Sequence, residues 1–207
     1  MSIDKWKQVL SKYLIELLIV AFGVFLGIYV SEWKSNNRLK NNTEKSFNYI
    51  LMEIESNQKS LENSIQYHEL IKANFGKTIS KIDKSEVDKP YYGNKSFHVS
   101  RIENWNGVGL PNFETVSFEV AKINNVLHEL DFDVVQQIAR AYQQIETNQE
   151  FGNSVLKKLL ETNSDTKIAD IIGIVEMMTS DVLISEKNLN TVLLDTIKYL
   201  NDYKARH

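Results

Sequence analysis

Tyr13-Leu-Ile-Glu-Leu-Leu-Ile-Val-Ala-Phe-Gly-Val-Phe-Leu-Gly-Ile-Tyr-Val-Ser-Glu-Trp33 is the stretch that water cannot solvate. From Tyr13 to Val30 only Glu16 is charged. A helix rises about 1.5 Å per residue, so Tyr13 to Trp33 spans roughly 30 Å, the thickness of a bilayer's hydrocarbon core. In lipid the backbone must satisfy its own hydrogen bonds, and a helix does so. Tyr13 at one end, and Tyr29 with Trp33 at the other, put amphipathic rings where headgroups lie. A cleaved signal peptide fits less well, because the run is long and no small-residue cleavage site follows it. A buried core helix is the other reading of such a run. We expect residues 13–33 to form a transmembrane helix.

On the N-terminal side, residues 1–12 are a short cytoplasmic or interfacial segment. It carries Lys5, Lys7 and Lys12, with Ile3, Trp6 and Leu10 at helical spacing. Lys34, Arg38, Lys40 and Lys45 follow the span, so a local count of basic residues sets no orientation. A short basic N-terminus stays in the cytoplasm, whereas long domains translocate largely regardless of charge. The expected topology is N-terminus inside, remainder outside. Glu16 is costly within a span. It pairs with Lys12 at i, i+4 or reaches the headgroups, or else it serves a partner contact or ion coupling. Gly23-Val-Phe-Leu-Gly27 matches G-x-x-x-G, a spacing that lets two helix backbones approach closely. Gly23, Gly27 and Glu16 are therefore candidate membrane-helix packing residues.

Glu16-Leu-Leu-Ile-Val-Ala-Phe-Gly23, followed by an apolar run ending at Glu32-Trp33, fits the pattern E-L-x-I-V-x-x-G. It resembles the N-terminal signature of a family of small bacterial single-pass inner-membrane proteins of unknown function. The likeness covers residues 12 to 40, and the remainder only in pattern. Ser31-Glu32-Trp33-Lys34 stands where the family more often carries asparagines around the tryptophan. The resemblance implies a bacterial inner-membrane location, a periplasmic helical domain and no assigned catalytic residue.

Beyond Trp33 the chain is polar to Thr43 and free of Gly and Pro, so it continues outward as a stalk unless Thr43 caps a fresh helix. A stripe of Phe47, Ile50, Ile54, Leu61, Ile65, His68, Ile71, Phe75, Ile79 and Ile82 then advances in threes and fours, interrupted at Gln58. Residues 34–84 read as stalk and long helix. Residues 85–114 hold both prolines, the Asn106-Gly107 turn signal and Tyr91, Tyr92, Phe97 and Trp105. Residues 96–100 alternate and suit a short strand. The aromatics of this loop either fold back over the bundle or act as partner contacts.

Residues 115–207 carry the remaining helices. Thr115 offers a hydroxyl cap to one with Val116, Val120, Ile123 and Leu127 as its apolar face. Asp131 or Asp133 caps the next, in which Gly152 suggests a bend. Asn163 to Thr166 turns into a last helix, whose stripe runs from Ile168 to Leu200 and which ends in Tyr203-Lys-Ala-Arg-His207. The expected fold is all-α: one transmembrane helix, then an elongated bundle of about four helices with a central loop that holds a short strand or none.

The chain has 207 residues, with 24 basic and 27 acidic side chains and no basic stripe, so nucleic acid is not an expected partner. The absence of cysteine rules out disulfides and thiolate metal sites. No histidine falls at zinc-protease or di-iron spacing, and no phosphate-binding glycine loop or nucleophile elbow is present. His68 reads as a satisfied packing residue, and Glu53, Glu55, Asp131 and Asp133 as solvated faces and caps. We expect no enzyme, cofactor or metal. The expected function is assembly, scaffolding or sensing through the extracytoplasmic domain. The expected partners are membrane lipid and a second copy or another integral-membrane protein. An ion-motive-force coupling subunit using Glu16 and a small-molecule sensor domain are the alternatives.

Overall fold

The structure is a computed structural model that describes residues 3–206, with side chains from residue 13 onward. Helix α1 runs unbroken over Ile3–Ile79, 77 residues. The stalk continues the helix, and the alternative of a fresh start at Thr43 does not occur. The Thr43 hydroxyl instead donates to the Leu39 carbonyl at 3.0 Å, one turn back on the same helix. With neither Gly nor Pro between Trp33 and Thr43, nothing ends the helix there. The amphipathic lead-in of Ile3, Trp6 and Leu10 takes the form of the first turns of α1, and its side chains lie outside the described residues.

The other helices are α2 (Val116–Ile123), α3 (Phe132–Leu160), α4 (Ile168–Met177) and α5 (Leu183–Arg206). A single π-helical turn, Met178–Val182, joins α4 to α5 into one rod. Among the described residues there is no strand. The alternating segment at 96–100 ends in a 3-10 turn, Val99–Arg101, capped by the His98 imidazole accepting from the Ser100 N–H. One isolated bridge, Pro90 to Lys167, ties the loop to the start of α4. There the carbonyls of Val87 and Lys89 accept the otherwise orphaned N–H groups of Ala169 and Ile168.

The chain therefore has four legs. Helix α1 rises from the apolar segment, the stretch from Glu103 through α2 returns, α3 rises again and the α4–α5 rod descends. The second leg is unusual because most of it is non-helical backbone. Side chains buried along the legs form two apolar clusters. The one nearer the apolar segment gathers Ile50, Ile54 and Leu61 of α1 with Ile138 and Ile145 of α3 and Leu193 and Leu200 of α5. The far one gathers Ile71 and Phe75 with Phe97, Ile102, Val155, Ile171 and Met178.

Two expectations change. Val116, Val120 and Ile123 do not form the inner face of α2; Ile123 is 79 % exposed. This eight-residue helix is turned by its anchors: Ala121 is buried, and the Phe118 ring stacks on Tyr142 with centroids 4.3 Å apart. Gly152 does not interrupt α3, which runs through it. A Cβ at Gly152 would lie 2.7 Å from Leu110, so the missing side chain makes room for the second leg.

Gly109 meets the tightest demand in the second leg. Its φ is +70°, and a Cβ there would come within 2.2 Å of the Tyr67 ring. Gly109→Ala is expected to destabilise the full chain by about 2–3 kcal/mol through left-handed strain and overpacking. Gly76→Ala, in a helix with nothing within 4 Å, is expected to be neutral or stabilising by up to about 1 kcal/mol. Urea midpoints in detergent compare the two, and equal effects would contradict this role for Gly109.

Candidate functional site

The feature that sets this bundle apart is the way α1 holds the second leg. Polar side chains at helical spacing along α1 reach the backbone of residues 103–118, which runs antiparallel to it. Asn74 Nδ2 donates to the Glu103 carbonyl at 3.0 Å. The Tyr67 hydroxyl donates to the Gly107 carbonyl at 2.7 Å and accepts from the Asn106 N–H at 2.9 Å. Ser60 Oγ accepts from the Asn112 N–H at 3.0 Å. Asn57 acts like a strand edge: its amide donates to the Glu114 carbonyl at 2.7 Å and accepts from the Glu114 N–H at 2.8 Å.

Glu53 completes this ladder. Its carboxylate accepts the N–H groups of Ser117 at 2.7 Å and Phe118 at 3.3 Å, so it caps α2 from another helix. Thr115, the expected cap, occupies the N-cap position but makes no side-chain cap bond. The Tyr142 hydroxyl of α3 donates to Glu53 at 2.5 Å. Burial and then the Glu53 carboxylate push that phenol far above its ordinary pKa, so it remains a donor. Glu53 is buried, not solvated as expected from sequence, and joins three elements.

Between the two apolar clusters lies a buried polar layer. The His68 Nδ1 faces Glu186 Oε2 at 2.7 Å, and its Nε2 faces the Val108 carbonyl at 2.7 Å. A carbonyl only accepts, so Nε2 carries hydrogen. Both side chains are fully buried. Burial opposes charge on His68, but the hydrogen bond and charge of Glu186, with the Val108 carbonyl, outweigh it. Together they hold the imidazole pKa above its ordinary 6.5. Ser64 Oγ lies 2.6 Å from the Gly109 carbonyl and 2.7 Å from Glu186 Oε1, so one hydroxyl proton serves two acceptors. The carboxylate stands between hydroxyl and imidazole, so His68 is not placed to take the Ser64 proton as a catalytic base would. The layer binds α1, α5 and the second leg together. His68 was legible as a packing residue, whereas its partner Glu186 carried no signal in sequence.

The residues singled out from sequence fall in separate places. A Cβ added at Gly23 or Gly27 would meet nothing within 4 Å beyond its own helix, so among the described residues their face of α1 is uncovered. Glu16 is exposed on the same helix, and its suggested partner Lys12 has a side chain outside the described residues. Tyr91 and Phe97 are core residues, so they are not available as partner contacts. Tyr91 stacks on His98 at 5.1 Å and packs beside Phe97. Tyr92 remains exposed and bonds Thr162 at 2.6 Å, and Trp105 is partly buried against the far cluster. The loop aromatics thus fold back over the bundle end. Among the described residues no group of three or more metal-ligating side chains assembles.

A raised His68 pKa makes the layer's contribution to stability pH-dependent. It is fully present below pH 6.5 and lost as pH rises through the folded-state value. Glu186→Gln is expected to destabilise by about 3–5 kcal/mol and to flatten that alkaline decline, since it leaves a buried imidazole without its counter-charge. Replacing both, His68→Met with Glu186→Leu, is expected to destabilise less than Glu186→Gln alone. Denaturation midpoints from pH 5 to 9 check both, and a wild-type midpoint that climbs above pH 6.5 would contradict the assignment.

In comparisons with known proteins, the chain matches no family model, no curated protein and no solved structure.

Proposed function

We propose that this is a single-pass inner-membrane protein of the bacterial type its anchor resembles, with the N-terminus cytoplasmic and the helical head periplasmic. The head works by binding, as a scaffold, assembly factor or sensor for a membrane partner, and performs no catalysis. The observation that carries the reading is the state of the apolar segment. Its most apolar window has no buried share, so among the described residues nothing covers it. Tyr13 is 65 % and Trp33 61 % exposed at its ends. An uncovered apolar cylinder of this length is stable in lipid and not in water.

Continuity supports the binding role. Because α1 passes from that segment into the core without a hinge, a contact made by the head is transmitted to the span as rigid displacement. The open Gly23–Gly27 face is the proposed seat for a second span, of another copy or of a different protein. Disulfide trapping through Val20→Cys, three residues before Gly23 and seven before Gly27 on the same face, tests it: a cross-linked dimer supports self-association, and neither dimer nor adduct would count against the seat.

The cysteine-free sequence makes topology directly measurable. Ser2→Cys is expected to react with an impermeant maleimide only after lysis. Ser164→Cys, on the exposed turn before α4, is expected to react in cells with a permeabilised outer membrane. The protein is expected to resist carbonate extraction. The reverse labelling pattern would invert the orientation, and extraction into the soluble fraction would overturn the membrane reading.

A further inference from the structure

Where the head meets the apolar segment, a groove of about 590 Å³ opens between α1, the turn before α3 and the end of α5. Its floor begins at Asn36, three residues beyond Trp33. On a helix that is about 4.5 Å, within the headgroup layer if Trp33 marks the interface. Resting on the membrane reading above, we propose that this groove binds a glycerophospholipid whose headgroup carries a phosphate and a primary ammonium, the phosphoethanolamine type.

Charge arrangement selects this occupant. Lys40 and Lys204 line the groove together with Glu44 and Glu129. None of these four pairs with another described residue, although lysines and carboxylates elsewhere on the head do. Asn48, also in the lining, has a buried Oδ1 with no hydrogen-bond partner among the described residues. A buried acceptor without a donor is unfavourable, and a ligand N–H relieves it. An ammonium supplies three N–H donors, suited to Asn48 Oδ1 and the two carboxylates, while the phosphate accepts from the two lysines. A choline headgroup has no N–H to give Asn48. A purely anionic headgroup leaves both carboxylates unmatched and repelled.

Geometry supplies a path for the acyl chains. Leu39 faces the groove. Ile28 and Phe25 fall on the same helical stripe, roughly three and four turns nearer the N-terminus. Both are exposed, so a lipid seated by its headgroup has an apolar track beneath it.

The test uses the full chain in mixed micelles holding equal amounts of phosphatidylethanolamine, phosphatidylcholine and phosphatidylglycerol. Retained lipid is quantified by mass spectrometry after re-purification, and the same preparation is floated with vesicles. Expected is an enrichment of phosphatidylethanolamine of about tenfold over the others. Asn48→Leu with Glu129→Gln is expected to reduce it to parity, whereas Glu55→Gln, an exposed α1 change outside the groove, leaves it intact. Parity in the wild type, or enrichment that survives the double change, would overturn the site. Displacement by soluble glycerophosphoethanolamine at equal concentration would overturn the lipid as occupant. A protein that floats without preference loses only this proposal, and one that does not float loses the membrane reading.

Discussion

A non-helical segment laid inside a helical bundle has to find partners for its backbone outside itself. Residues 103–115 are such a segment, and buried backbone groups are not left unpaired in folded proteins. A helix in this position would have closed its own hydrogen bonds. The segment instead takes them from one side of α1, from Asn74 down to Glu53. The fold of the head depends on that exchange. It sets the register between α1 and the second leg, and it rotates α2 by capping it from Glu53. It also places Val108 and Gly109 against the His68–Glu186 layer.

That layer divides the head into two apolar clusters. Each holds its own share of α1, α3 and the α4–α5 rod. A buried ion pair adds little stability relative to a well-packed apolar pair, but it penalises misalignment strongly. At the crossing of α1, α5 and the second leg it favours one register over neighbouring ones. The π turn at Met178–Val182 lies just before Glu186 on the same rod, where an extra residue per turn resets the face that α5 presents. Below the layer, α1 leaves the bundle as a single rod. The head and apolar segment are one mechanical element, which gives the basal groove a fixed height above Trp33.

Much of this was legible in the sequence for plain reasons. The apolar run, the stripe of threes and fours on α1 and the stripes of α3 and the last rod identify the helices, because burial selects apolar residues at helical spacing. Phe47, Ile50, Ile54, Ile138, Ile145, Leu193 and Leu200 are all buried as their spacing implies. What stayed hidden is polar. Glu53, Asn57, Ser60 and Ser64 follow the same helical spacing as the apolar stripe, but a polar residue on a helix reads as solvent-facing unless its partner is known. The partners here are backbone groups about fifty residues away, which carry no side-chain signature. Tyr91 and Phe97 illustrate the converse, since aromatic residues in a loop read equally as contacts or as core. The face of α2 was misread because a helix of eight residues is oriented by its caps more than by its apolar pattern.

The central claim is that one uninterrupted helix passes from lipid into the core of the head. A scan of single spin labels from residue 14 to residue 54, in the cysteine-free chain reconstituted in bilayers, tests it most directly. The account predicts high oxygen and low water-soluble relaxant accessibility through Leu26, a crossover near Trp33 and helical periodicity carried without interruption across 34–43. It also predicts immobile positions at Phe47, Ile50 and Ile54. Water-soluble relaxant reaching Ile19 to Leu26, or loss of periodicity with high mobility between Lys34 and Thr43, would contradict it.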